Sequence, residues 1–153
     1  MKNTLLLRFI LLITASLFII SCEDDDPLQP EEEHFVPIGT AIYDATGALY
    51  VTILRGVTFD TLFIQNGDLS DHFDVKFFDE NEEIVEAPEN ENTKLNHLID
   101  DETITEFWQH EDDQGGFEFH LRGLKKGVTS IELFIEHEGH NDYRSGKIPV
   151  KVR

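Results

Sequence analysis

The chain has little of what builds a recognisable active site or a cross-linked secreted domain. Among 153 residues there is one cysteine, Cys22, so neither an intramolecular disulfide framework nor a cysteine-rich zinc module can form. Cations are scarce: 12 Lys and Arg stand against 31 Asp and Glu, a formal net charge of −19. That balance excludes nucleic acid as a partner, because phosphate binding needs clustered cations. No Gly-x-Ser-x-Gly elbow, phosphate-binding glycine loop or dinucleotide fingerprint occurs. Past the first 22 residues, no segment repeats its apolar residues at helical spacing for more than about two turns. The sequence therefore reads as a protein without catalytic residues rather than an enzyme.

What is present begins with an address. Lys2 and Arg8 make a short basic start, and residues 9–20 carry no charge. An apolar run of this length is too short to span a bilayer as a helix, which needs ~20 residues. With small Ser21 behind it, the run fits the apolar region of a secretory signal peptide over residues 1–21. Ile19-Ile20-Ser21-Cys22 resembles a bacterial lipobox, and the resemblance implies lipid on Cys22 as the mature N-terminus. More than one acyl chain on that residue satisfies the two membrane signals that stable anchoring takes. Glu23, Asp24, Asp25 and Asp26 follow directly, and resemble the acidic export signal of surface lipoproteins in Bacteroidota-type bacteria. The two resemblances imply an outer-membrane, cell-surface location and a membrane partner through the lipid.

Residues 22–34 read as a tether. Seven of the side chains in residues 23–33 are acidic and Leu28 is the only bulky apolar one, too little apolar surface to offset the entropy of ordering. From residue 35 to residue 153 the composition is that of a single domain.

The apolar period in that domain is two. Phe73, Val75 and Phe77 alternate with Asp74 and Lys76; Phe117, Phe119 and Leu121 alternate with Glu118 and His120. Ile131, Leu133 and Ile135 alternate with Glu132 and Phe134, and Ile148, Val150 and Val152 with Pro149 and Lys151. Each run reads as a strand with one face inward. Turn signals separate the runs at Thr46-Gly47, Arg55-Gly56, Asn66-Gly67, Gly115-Gly116 and Lys126-Gly127. The expected class is all-β, a sandwich of about seven to nine short strands. Pro149 lacks a ladder donor, so the last strand is expected at an edge or at a bulge, and Tyr143 is expected in the last long loop. The order of strands around Gly123-Leu124-Lys125-Lys126-Gly127 resembles the end of bacterial immunoglobulin-like domains, which implies an immunoglobulin-like antiparallel sandwich.

Seven histidines are the main chemical oddity. In a domain without cysteine, a transition-metal site must combine imidazole with carboxylate. His137 and His140 lie in an oxygen-rich stretch, Glu136 to Asp142, and His110 and His120 lie on consecutive strands joined by a glycine turn. With His34, these are the candidate ligands, and their type suits zinc or copper. Their spacing is also that of ordinary surface histidines among carboxylates, since His-x-x-His at a strand end lacks the helical register of zinc hydrolases. Asp79, Asn81 and Glu83 alternate like calcium ligands, but the sixth position is Ile84 instead of glycine, so a solvated loop is the better reading. Of Phe107 and Trp108, one must face outward if both lie in a strand, and the tryptophan is expected in the core. The leading expectation is a non-catalytic surface lipoprotein displaying a module that binds a protein or glycan, with no cofactor. The alternative is metal capture by the histidines.

Overall fold

The computed structural model describes residues 35–88 and 92–153. The expected signal peptide, Cys22, the acidic residues Glu23, Asp24, Asp25 and Asp26, and His34 lie outside the described residues. Among those described there is no helix, and the chain folds into ten strands: β1 (Gly39–Tyr43), β2 (Leu49–Leu54), β3 (Leu62–Ile64), β4 (Phe73–Phe78), β5 (Ile84–Val85), β6 (Thr93–Ile99), β7 (Thr105–Trp108), β8 (Glu118–Gly123), β9 (Gly127–His137) and β10 (His140–Val152). The alternation seen in the sequence sets their faces. Phe73, Val75 and Phe77 of β4 are buried with half-buried residues between them. Thr129, Ile131, Leu133 and Ile135 do the same on β9.

Two sheets result. One runs β2-β1-β4-β8-β7, with β5 beside the far end of β4; the other runs β3-β10-β9-β6. With β1, β4, β8 and β7 as strands A, B, E and D, and β10, β9 and β6 as G, F and C, this is the immunoglobulin-like arrangement, ABED packed on CFG. The hairpin strand β2 extends the first sheet past β1, and β3 adds to β10 in parallel. Their inner faces share one core that includes Ile42, Val51, Ile53, Phe77, Phe119, Leu121, Ile131, Leu133, Ile135 and Ile148. The chain crosses between sheets after β3, where it is laced to β8. Gly67 N–H donates to Gly123 O at 2.7 Å, and Gly123 N–H to Asp68 O at 2.9 Å. Glycine is required at 123 because a Cβ there would sit 2.3 Å from the Gln65 carbonyl oxygen.

One feature of β10 differs from the sequence reading. Tyr143 is not in a loop: its ring is buried and packs edge-on against Phe77 at 5.8 Å, and its hydroxyl shares a 2.9 Å hydrogen bond with Thr40 of the other sheet. Burial raises the phenol pKa, partly offset by that bond. The strand was hidden because two register shifts interrupt its alternation, between Asn141 and Tyr143 and between Arg144 and Lys147. At the second, Ser145 Oγ accepts the Leu133 N–H at 3.0 Å. The strand that holds Pro149 is an inner one, so of the two expected placements, edge or bulge, it is the bulge that β10 carries. The β3 ladder begins only at Val150, so the missing N–H leaves no gap in it.

Candidate functional site

Three features gather chemistry-bearing side chains: a cleft between the two sheet edges and two histidine clusters. The cleft lies where β6 ends one sheet and β7 ends the other, and its volume is about 510 Å³. Thr93, Leu95, His97 and Ile99 share the inward phase of β6, so His97 enters the sandwich where the others do. Its ring stacks on Phe107 at 3.8 Å and 14°, and Phe107 stacks on buried Phe119 at 5.1 Å and 13°. A column of three rings thus runs from the core to the cleft. Phe107 takes the inward side of β7, and Trp108 takes the outward side, half-buried. The tryptophan is therefore not the core residue expected from the sequence, because the core position belongs to its neighbour.

The loop after β7 is held from within. The Gln109 amide donates to the Gly116 and Glu118 carbonyls, both at 2.8 Å, and accepts from Gly115 N–H at 3.0 Å. Gln114 ties back to the Gln109 and His110 carbonyls at 3.1 Å. These bonds fix residues 109–116 as one wall of the cleft before any ligand arrives. On the β6 side Asn96 donates to Glu136 at 2.9 Å and Lys94 adds a charge, while Glu111 stands on the loop itself.

Burial lowers the His97 pKa from 6.5, with Glu102 acting the other way. The unfolded chain therefore holds a proton at this position more tightly than the folded one. The contribution of the neutral ring is complete above the unfolded pKa and is lost as the pH falls through the depressed folded value. Thermal unfolding followed from about pH 7 to about pH 5 should show a stability loss that is smaller in His97→Phe, which keeps a ring without a titrating group. An identical pH slope in the variant would contradict this.

The first histidine cluster lies on the outer face of the β7–β8 hairpin. Trp108 is the register partner of His120. Ring centroids are 5.1 Å apart for Trp108 and His120, 4.5 Å for Trp108 and His110, and 5.3 Å for the two imidazoles. His72 stands 6.4 Å from His120. His120 Nδ1 lies 2.9 Å from the Ser70 carbonyl, a contact in which Nδ1 carries the proton.

The second cluster is at the tip of the β9–β10 hairpin. Glu138 and Gly139 both have positive φ, 49° and 87°, the two-residue turn that matches the twist of the flanking strands. It places His137 directly opposite His140. The register shift after Asn141 makes Asp142 the extra residue of a bulge. Strict alternation would send Asp142 to the face opposite Tyr143; the bulge brings it to the inner side, where its side chain is 4 % exposed. Its carboxylate oxygens lie 3.4 Å from His137 Nδ1 and 3.2 Å from His140 Nε2.

The structure thus brings His110 to His120 and His137 to His140, in two clusters. Among the described residues, His137, His140 and Asp142 are the one group of three or more His, Cys, Asp or Glu whose donor atoms lie close enough to share an ion. Sequence reasoning did not single out His97 or Asp142. The inward phase of β6 marks the first; the second lies in the oxygen-rich stretch around the histidine pair, but its orientation follows from the bulge. Asp79, weighed as a calcium ligand, instead caps its own turn by accepting the N–H groups of Asn81 at 2.9 Å and Glu83 at 2.8 Å, and these bonds lower its pKa.

No family model and no curated protein matches the chain. Among solved structures it is similar to domains 4 and 5 of the S-layer protein SbsC, at 18 % identity and a TM-score of 0.39. The alignment covers 60 % of this chain and 46 % of that one. The chain thus spans less than half of the SbsC fragment, and the fold assignment rests on the strand order above.

Proposed function

We propose that this chain is a non-catalytic, lipid-anchored protein of the bacterial outer membrane, facing outward, whose immunoglobulin-like sandwich is a binding module for a neutral glycan. The cleft between β6 and β7 carries this reading. Its volume of about 510 Å³ is that of a small-ligand site, and it combines flat rings with polar groups. Trp108 and the outer face of His97, which ends the column above Phe107, offer ring surface, and Lys94, Asn96, Glu111 and Glu136 border it. A pyranose has an apolar face to stack on such rings and hydroxyls that both donate and accept. The wall built by Gln109 and Gln114 is already fixed, which reduces the ordering cost of binding. With 31 acidic residues in the chain, an anionic glycan would be repelled. The lipid on Cys22 and the export signal at Glu23, Asp24, Asp25 and Asp26 are the part of the proposal that puts the cleft outside the cell.

Trp108 is the only tryptophan, so its emission reports directly on the cleft. The full chain in detergent should show a saturable emission change with at least one of a panel of neutral oligosaccharides: cello-, xylo-, manno-, malto- and chito-oligomers. Calorimetry with Trp108→Ala should then find the affinity reduced by about 30-fold or more, the ~2 kcal/mol of an aromatic hot spot. A panel that changes neither the emission nor the heat would contradict the glycan assignment.

A further inference from the structure

We propose that His137, His140 and Asp142 form a binding site for one divalent transition-metal ion of the zinc or copper class. The site is narrower than capture by all the histidines and independent of the glycan cleft. Its donors are two imidazole nitrogens and a carboxylate, the two-histidine-one-carboxylate set that such ions accept while leaving a position for solvent. Donor atoms around a tetrahedral zinc, each ~2.0–2.1 Å from the ion, lie about 3.3 Å from one another. His137 Nδ1 lies 3.4 Å from Asp142 Oδ2 and His140 Nε2 lies 3.2 Å from Asp142 Oδ1, so each imidazole is near that spacing from one carboxylate oxygen. Both separations are longer than the ~2.7–2.9 Å of a charge-assisted hydrogen bond. All three donors lie within 4.8 Å of one another. Bringing both imidazoles around one carboxylate oxygen takes a side-chain rotation of His140, which is half exposed, while His137 and Asp142 are held at 14 % and 4 % side-chain exposure.

The backbone explains why the three converge. The tight turn puts the two histidines on one face, and the bulge adds the aspartate to that face. A histidine pair at a hairpin tip needs no bulge to be a solvated pair; the extra residue is what supplies a third donor. The cluster of His72, His110, His120 and Trp108 on the outer face of the β7–β8 hairpin does not, among the described residues, bring three such donors within that reach.

The test uses the tag-free full chain, stripped with chelator and titrated separately with zinc, copper(II) and calcium chlorides. One ion of zinc or copper should bind per chain and raise the melting temperature, whereas calcium, which takes oxygen ligands, should not bind saturably. His140→Ala should keep the melting temperature of the metal-free protein, since its ring is half exposed. It should weaken metal binding by at least the ~10–100-fold that even supporting residues of a metal site contribute. Asp142→Asn should weaken it likewise, and His120→Ala should leave it unchanged. The proposal is overturned by the absence of saturable zinc or copper binding, by an unchanged affinity in His140→Ala, or by a loss of binding in His120→Ala.

Discussion

Leu133→Asp should destabilise the sandwich by roughly 3–5 kcal/mol, the range for leaving an unpaired charge in a core. Leu133 lies mid-way along β9 on its inner face, 1 % exposed, and pairs in register with His97 of β6. A carboxylate there loses the packing of the leucine and is desolvated among the apolar side chains of the core cluster, with the neutral ring of His97 across the ladder. For a domain of this size the melting temperature should fall by more than about 10 °C. Glu132→Ala, one residue away on the outer face, removes a two-bond ion pair with half-exposed Arg144 and should cost about 1 kcal/mol, well below the core variant. Equal effects for the two variants would mean that the inward and outward phases of β9 are interchanged.

That phase was legible in the sequence because β9 alternates without interruption from Thr129 to Ile135. The same holds for β4 and β8, so three central strands and the all-β class followed from period alone. The β9–β10 hairpin was only half legible. Its distal part carries two extra residues, and each shifts the alternation, so Tyr143 looked like a loop residue although it joins the two sheets through Thr40. Trp108 was misplaced for a related reason. Phe107 and Trp108 are adjacent and both aromatic, so size does not decide which is inside; the stack of Phe107 on Phe119 does. The histidine pairs were legible as pairs, since one spans a glycine turn and the other a two-residue turn. Asp142 was not, because a bulge changes the face of a residue without changing its type.

Cys22→Ser is the second variant with a large expected effect. If the sole cysteine carries the lipid, as proposed, the variant loses its acyl chains, and with them ~0.8 kcal/mol for each CH₂ buried in the membrane. Among the described residues no helix is long and apolar enough to cross a membrane. In fractionated cells the wild-type protein should sediment with the membranes, and Cys22→Ser should move to the soluble fraction or accumulate unprocessed with its leader. A variant that is processed and still sediments with the membranes would show that another feature provides the anchor.

The claim on which the proposed function depends is that the sandwich is displayed outside the cell. Intact cells of the native host treated with a broad-specificity protease test it most directly, with antibody against residues 35–153 and a periplasmic protein as control. The domain signal should be cleared from intact cells while the periplasmic control survives. Full-length protein that persists on intact cells, yet is cut once the outer membrane is opened, would place it inside and contradict the account.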